Sequence, residues 1–182
     1  DELDKDSDND FGKNVIPSML ADGEPLYAYE FKGYWKDVGT IPALWESNMD
    51  VLDPDVPLEL DDPPWKIYTR SSNLPPQHIG EHAVLSNSSI ADGCVVDGRV
   101  ENSILFPGVR VARGAVVSNS IVMPNATIEE GAVVEYAIIA RGARIGERAQ
   151  IGQWKRPEPA GTHREISVVG QDVRVSAGTV VP

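Results

Sequence analysis

Cysteine is nearly absent: Cys94 is the one thiol in 182 residues, so no disulfide can form within the chain. That fits a reducing, cytoplasmic setting. Long apolar runs are missing too. None approaches the roughly 18 residues of a membrane-spanning helix, which argues against a membrane partner. No signal-peptide pattern opens the chain. It starts at Asp1 in an acidic run without Met and reads as part of something longer. Basic residues are scarce in the first third, where residues 1–63 hold 17 acids against 4 bases. Residues 64–182 are nearly balanced, with 11 acids and 12 bases. A net charge of −12 so placed argues against nucleic acid as a partner. The hydrophobic share of 41% is enough for a folded protein.

What the chain has in abundance is repetition. From Ile79 to Ile151 it reads in sixes, as in Val111-Ala-Arg-Gly-Ala-Val and Ile128-Glu-Glu-Gly-Ala-Val. Each unit opens on an aliphatic residue and carries a small or slender one four places on, among them Ala83, Cys94, Val109, Ala115, Ala126, Ala132, Ala143 and Ala149. A larger period overlies the small one. Val100, Val117, Val134 and Ile151 stand seventeen apart, as do Leu105, Val122 and Ile139, and Val111, Ile128 and Ile145. One coil is then six, six and five residues: a three-sided turn. Strand side chains alternate, so the aliphatic residue and the small residue four on both point inward. The buried set should include Val111, Val117, Val122, Ile128, Val134, Ile139 and Ile145, with Cys94 in an inward slot as a structural thiol. Gly93, Gly108, Gly114, Gly131 and Gly142 fall at corners, where a positive φ is expected. Outward, Arg113, Glu130 and Glu147 fall in register. The second coil is irregular, because Val96 to Val100 spans only four residues. After Ile151 a loop from Gln153 to Arg164 intervenes, and Val169, Val175 and Val181 resume the step as a final coil.

Upstream the pattern changes. Phe11, Val15, Ile16, Met19 and Leu20 recur at helical spacing, limited by Pro17. Leu26–Phe31 alternates as a strand would, with Tyr27, Tyr29 and Phe31 on one face. Thr40 is placed to cap a helix that begins near Pro42, runs through Leu44, Trp45, Asn48, Met49 and Leu52, and ends before Pro54. Asp and Pro dominate 53–64, a linker signal, and Trp65–Thr69 suggests a short strand. The division this predicts is 1–53, a linker over 54–78, and a repeat domain over 79–182.

A six-residue repeat with a small fifth residue resembles the left-handed parallel β-helix of hexapeptide-repeat proteins. The hand comes from the resemblance, since crossover physics favours the opposite one. Many such proteins are acyltransferases that use a His, and the candidates for that role are His78, His82 and His163. The segments upstream are more specific. Asp10-Phe-Gly-Lys-Asn-Val-Ile-Pro, then Tyr34-Trp-Lys-Asp-Val-Gly-Thr, then a helix with Trp45-Glu-Ser-Asn-Met-Asp, then the repeats, closely resemble the glucose-1-phosphate adenylyltransferase family, in its bacterial catalytic type. The resemblance implies a mainly β chain: a left-handed parallel β-helix preceded by the C-terminal remnant of an α/β nucleotidyltransferase domain.

In that family ATP and α-glucose 1-phosphate give ADP-glucose and pyrophosphate for glycogen synthesis, with Mg²⁺ as cofactor and a homotetramer as the usual assembly. The resemblance makes Asp37 a catalytic, metal-binding carboxylate. It makes Asp10, Phe11 and Trp35 residues of the glucose 1-phosphate pocket. Taken as residues alone, Asp10 reads first as a helix cap and Phe11 and Trp35 as core, with a turn role open to Asp37; only the resemblance makes them site candidates. The family's Gly-rich nucleotide loop, its partner metal Asp and its Glu-Lys sugar-phosphate pair are not in this chain, so the piece by itself is expected to be inactive, serving assembly and regulation. Relatives carry a basic effector residue in the final coil. Here that stretch reads Val168-Val-Gly-Gln171, and Lys155, Arg156, His163 and Arg164 are the alternative anion-binding set. A guanylyl- or uridylyltransferase of the same plan is the other enzyme reading.

Overall fold

The computed structural model describes residues 10–58, 60, 63–69, 73–152 and 165–182. They fall into two compact units, within 1–33 and 34–182.

In the first unit Asp10 starts the helix. Its backbone is extended (φ −81°, ψ 121°) and its Oδ1 accepts the Lys13 N–H at 2.7 Å. A wide π turn, Phe11–Val15, leads into α1, Ile16–Ala21, with Pro17 in the first turn, where its missing N–H costs nothing. The helical spacing is therefore realised, yet none of these side chains is buried. The strand expected over Leu26–Phe31 does not form. An extended segment becomes a strand only by pairing, and no partner strand lies within this unit among the described residues. Tyr27 and Tyr29 stand 94% and 88% exposed.

The second unit begins with Tyr34–Gly39, which has no regular structure. Thr40 then caps α2, Ile41–Met49, accepting the Ala43 N–H at 3.3 Å, with Pro42 in the first turn. A 3₁₀ turn, Asp50–Leu52, closes it. The strand expected at Trp65–Thr69 is also absent. It follows Pro63-Pro64 and meets no ladder, so Trp65 and Tyr68 remain 80% and 88% exposed. The residues just before the coils are not idle: Pro75 O accepts the Gly93 N–H at 2.6 Å, which seats Leu74 against the corner glycines Gly93 and Gly108.

Strands of two or three residues then wind into a three-faced parallel β-helix. The first face stacks His78–Ile79, Val95–Val96, Arg110–Val111, Thr127–Ile128, Arg144–Ile145 and Arg174–Val175. The second stacks Val84–Ser86, Arg99–Glu101, Val116–Ser118, Val133–Glu135, Gln150–Ile151 and Val180–Val181. The third stacks Ser89–Ile90, Ile104–Leu105, Ile121–Val122, Ala137–Ile139 and Ser167–Val169. Every pairing is parallel, and Val111, Ile128 and Ile145 stand directly over one another as the register required. Val111, Val117, Val122, Ile128, Val134, Ile139 and Ile145 are all at most 1% exposed. Cys94 is fully buried, its Sγ–H donates to Phe106 O at 3.2 Å, and burial pushes its thiol pKa up.

The five glycines expected at corners all have positive φ, between 67° and 76°. The irregular second coil also has a physical form. Its shortened corner passes through Gly98, where a Cβ would fall 2.6 Å from Ala112 O of the next coil. Only a residue without a side chain passes under that backbone. The final coil closes as read, since Ala137 pairs with Ser167, Arg144 with Arg174 and Gln150 with Val180 across the insertion.

The five-residue side hides two polar columns that hydrophobic spacing does not reveal. Asn87, Asn102 and Asn119 occupy one corner at φ 42°, 43° and 47°, a conformation Asn tolerates better than most residues. Their amides form a ladder: Asn87 Nδ2 donates to Asn102 Oδ1 at 3.0 Å, and Asn102 Nδ2 to Asn119 Oδ1 at 2.9 Å. Beside them, buried Ser103 and Ser120 accept the N–H groups of Ser120 and Ala137, each at 3.1 Å, and donate to Glu101 O and Ser118 O. Each hydroxyl satisfies a backbone group that the tight corner leaves without a ladder partner.

Candidate functional site

In Tyr34-Trp35-Lys36-Asp37 burial alternates: Tyr34 and Lys36 are half-buried, Trp35 and Asp37 exposed. The inward pair meets the end of α2. Tyr34 Oη donates to Asp50 Oδ2 at 2.8 Å, and Lys36 Nζ donates to the same oxygen at 2.9 Å while lying 3.4 Å from Glu46 Oε2. The hydrogen bond from Lys36 holds the Asp50 carboxyl below its ordinary pKa, with a further contribution from Tyr34. The same bonds raise the pKa values of Lys36 and Tyr34. All three groups are thereby fixed in their neutral-pH charge states.

The outward pair is presented to solvent. Trp35 is 76% exposed. Asp37 does act as a turn residue, its Oδ1 accepting the Gly39 N–H at 3.1 Å. That bond uses one oxygen and leaves Oδ2 without a partner among the described residues. Mg²⁺ is commonly held by one or two carboxylates together with substrate phosphates, and Asp37 fits the part of one such ligand. No group of three His, Cys, Asp or Glu side chains forms a metal site among the described residues.

Asp10 and Phe11 lie together at the helix start of the first unit. Asp10 caps, as one of its two readings required, and Phe11 is 72% exposed. Lys155, Arg156, His163 and Arg164 lie outside the described residues. Of the histidines weighed for acyl transfer, His163 also lies outside them, and His78 is exposed. His82 is tied to the next coil: its backbone N–H donates to Asp97 Oδ1 at 3.1 Å, and its ring Nδ1 lies 3.2 Å from that oxygen. That backbone bond is the main reason the Asp97 pKa is lowered. Arg113, Glu130 and Glu147 share the lining of one open groove on the first face, as their register predicts.

Sequence reasoning missed Tyr34, Lys36 and Asp50 as a group. The signal was available: alternating residues beside the two site candidates, and an acid at the end of the helix that follows. It also missed how α2 is anchored. Trp45 Nε1 donates to Asn119 O at 2.8 Å, and its ring lies tilted by 33° against Tyr136 at 5.7 Å between centroids.

Comparison with known proteins agrees with this organisation. Residues 72–167 match the family described as GlmU-like, C-terminal hexapeptide, and residues 2–54 match the nucleotidyl transferase family. A glucose-1-phosphate adenylyltransferase of Clostridium beijerinckii is 57% identical over 117 residues, 64% of this chain and 30% of that protein. One from Clostridium perfringens is 56% identical over the same shares. One from Geobacillus stearothermophilus is 53% identical over 111 residues, 61% of this chain and 29% of that protein. The matched segment thus spans under a third of each relative. No helix among the described residues is long and apolar enough to cross a membrane.

Proposed function

The chain belongs to the GlmU-like, C-terminal hexapeptide family, and on that premise we propose that it is the C-terminal part of a glucose-1-phosphate adenylyltransferase. In the whole polypeptide a phosphate oxygen of α-glucose 1-phosphate attacks the α-phosphorus of ATP, and pyrophosphate leaves, giving ADP-glucose for glycogen synthesis. Such a transfer depends on in-line positioning and on neutralising phosphate charge. Bound Mg²⁺ would supply the charge neutralisation. Asp37 offers its free Oδ2 as a ligand to that ion. Trp35 offers an exposed aromatic face to a sugar. In the first unit, taken by itself, Phe11 is exposed and Asp10 has a carboxylate oxygen beyond its capping bond, which suits the sugar-binding roles that the family resemblance implies for them. The observation that carries the reading is the outward presentation of Trp35 and Asp37, held by an inward network, in a chain of which 117 residues match an enzyme of that name at 57% identity. The β-helix serves assembly, as a homo-oligomer and specifically a tetramer, and regulation, with Lys155, Arg156, His163 and Arg164 as an anion-binding set. A cytoplasmic location accords with the single buried thiol.

The test is a substrate panel on the full-length polypeptide. With glucose 1-phosphate, ATP should support pyrophosphate release at least about tenfold better than GTP or UTP, a discrimination worth about 1.4 kcal/mol. Preference for GTP or UTP would instead select the guanylyl- or uridylyltransferase reading. The 182-residue piece alone should form no ADP-glucose.

A further inference from the structure

Trp35 and Asp37 do not hold themselves in place. Trp35 is largely exposed, and the bond that Asp37 makes reaches only two residues along the chain, to Gly39. Their direction is set by the residues between and before them. Tyr34 and Lys36 converge on one oxygen, Oδ2 of Asp50, and Lys36 also faces Glu46 one helical turn earlier. An isolated surface ion pair contributes little, because solvent screens it and two long side chains lose freedom. This pair differs. The Lys36 and Asp50 side chains are only 27% and 24% exposed, and two donors share one acceptor. A charge-assisted bond with a second donor on the same oxygen fixes geometry better than either bond alone.

The support continues into the β-helix. Asp50 directly follows α2, and α2 carries Trp45. Trp45 holds Asn119 O and packs on Tyr136. Asn119 ends the ladder of Asn side chains, and Tyr136 takes the same corner one coil later at φ 47°. The corner is therefore built into the hydrogen-bonded coils of the β-helix. A continuous path of contacts runs from that corner through Trp45, α2 and Asp50 to Lys36, and so to the backbone bearing Asp37.

We propose that Lys36 and Trp45 are positioning residues: Lys36 splints the Trp35–Asp37 segment to the end of α2, and Trp45 splints α2 to the Asn119–Tyr136 corner of the β-helix. This rests on the reading of Asp37 as a site carboxylate. Supporting partners of a ligating side chain commonly matter by ten- to a hundredfold, and displacement of a reacting group by about 1 Å costs about a hundredfold.

The experiment uses the full-length polypeptide with Lys36→Met, Lys36→Arg, Trp45→Phe and Asp37→Asn. Lys36→Met should lower kcat about tenfold or more while KM for ATP and glucose 1-phosphate stays within about threefold. Amide hydrogen exchange over residues 34–40 should speed up about tenfold, with the β-helix melting temperature unchanged. Lys36→Arg should restore most of both, because it keeps the charge and a donor. Trp45→Phe keeps the ring on Tyr136 and loses the bond to Asn119, so it should show the same pattern about two- to fivefold. It also serves as the second variant if Lys36→Met fails to fold. Wild-type kcat and exchange in Lys36→Met, or a lower kcat without faster exchange, would overturn the proposal. If Asp37→Asn is inactive while Lys36→Met is normal, the positioning role alone fails. If Asp37→Asn is normal, the site reading fails, and the positioning role with it.

Discussion

The β-helix and the segments before it handle polar and apolar groups in opposite ways. Between Cys94 and Ile151 the coils bury their aliphatic column completely, satisfy corner N–H groups with Ser hydroxyls and pair their corner Asn amides from coil to coil. Residues 10–33 bury nothing and leave Phe11, Leu20, Tyr27, Tyr29 and Phe31 at least 60% exposed. One region is closed on itself; the other presents side chains outward. A repeat needs only its neighbours to be complete. Tyr34–Leu52 stands between these cases, anchored by its inward residues and open on its outward ones.

The largest expected break of this contrast is Ile128→Asp. It places an unpaired charge in the middle of the column, where Ile128 is fully buried. The cost should exceed about 4 kcal/mol, so the cooperative circular-dichroism melting transition should disappear. Val180→Asp, in the outward register of Gln150 and 66% exposed, should stay within about 0.5 kcal/mol of the parent. Equal effects would mean that the coils are not the stable unit. A smaller break is Asn102→Ala, which removes an acceptor from Asn87 and a donor to Asn119 and puts Ala at φ 43°. The denaturant midpoint should fall by an amount equivalent to about 1–3 kcal/mol at unchanged slope. Asn102→Gly should recover part of this, because Gly accepts the backbone angle.

The smallest effect is acid sensitivity of the Tyr34–Asp50 network. The folded pKa of Asp50 is lowered below its ordinary value by Lys36. Its stabilisation is therefore complete above the unfolded pKa, near 4, and is lost as pH falls through the folded one. Amide exchange over 34–40, corrected for intrinsic rates, should rise below about pH 4 by an amount equivalent to about 1 kcal/mol or less, and Asp50→Asn should remove that pH dependence. A pH-independent profile in the parent would show that the pair does not hold the segment.

Most of the β-helix was legible because its signal is periodic. The coincidence of Val111, Ile128 and Ile145 fixes register, and register fixes which face is buried. The Asn and Ser columns were not legible. Polar residues in a strand-poor corner look like ordinary turn residues until the coils are stacked. The expected strands at Leu26–Phe31 and Trp65–Thr69 failed for a related reason: alternation describes a face, but a strand also needs a partner, which a local pattern does not contain. At the site, resemblance drew attention to Trp35 and Asp37, and the structure adds how they are aimed. Lys36 and Asp50 meet across fourteen positions, a contact that no local pattern specifies.

The proposal turns on whether Asp37 works outward in a catalytic site in addition to its turn bond to Gly39, or makes that bond alone. Asp37→Asn in the full-length polypeptide separates the two, because Asn keeps the shape and the bond to Gly39 while removing the charge. Steady-state kinetics with ATP, glucose 1-phosphate and varied Mg²⁺ should show kcat lowered about a hundredfold or more and a higher Mg²⁺ requirement, with the melting curve unchanged. A near-normal kcat, with any change confined to about 1 kcal/mol of stability, would contradict the account.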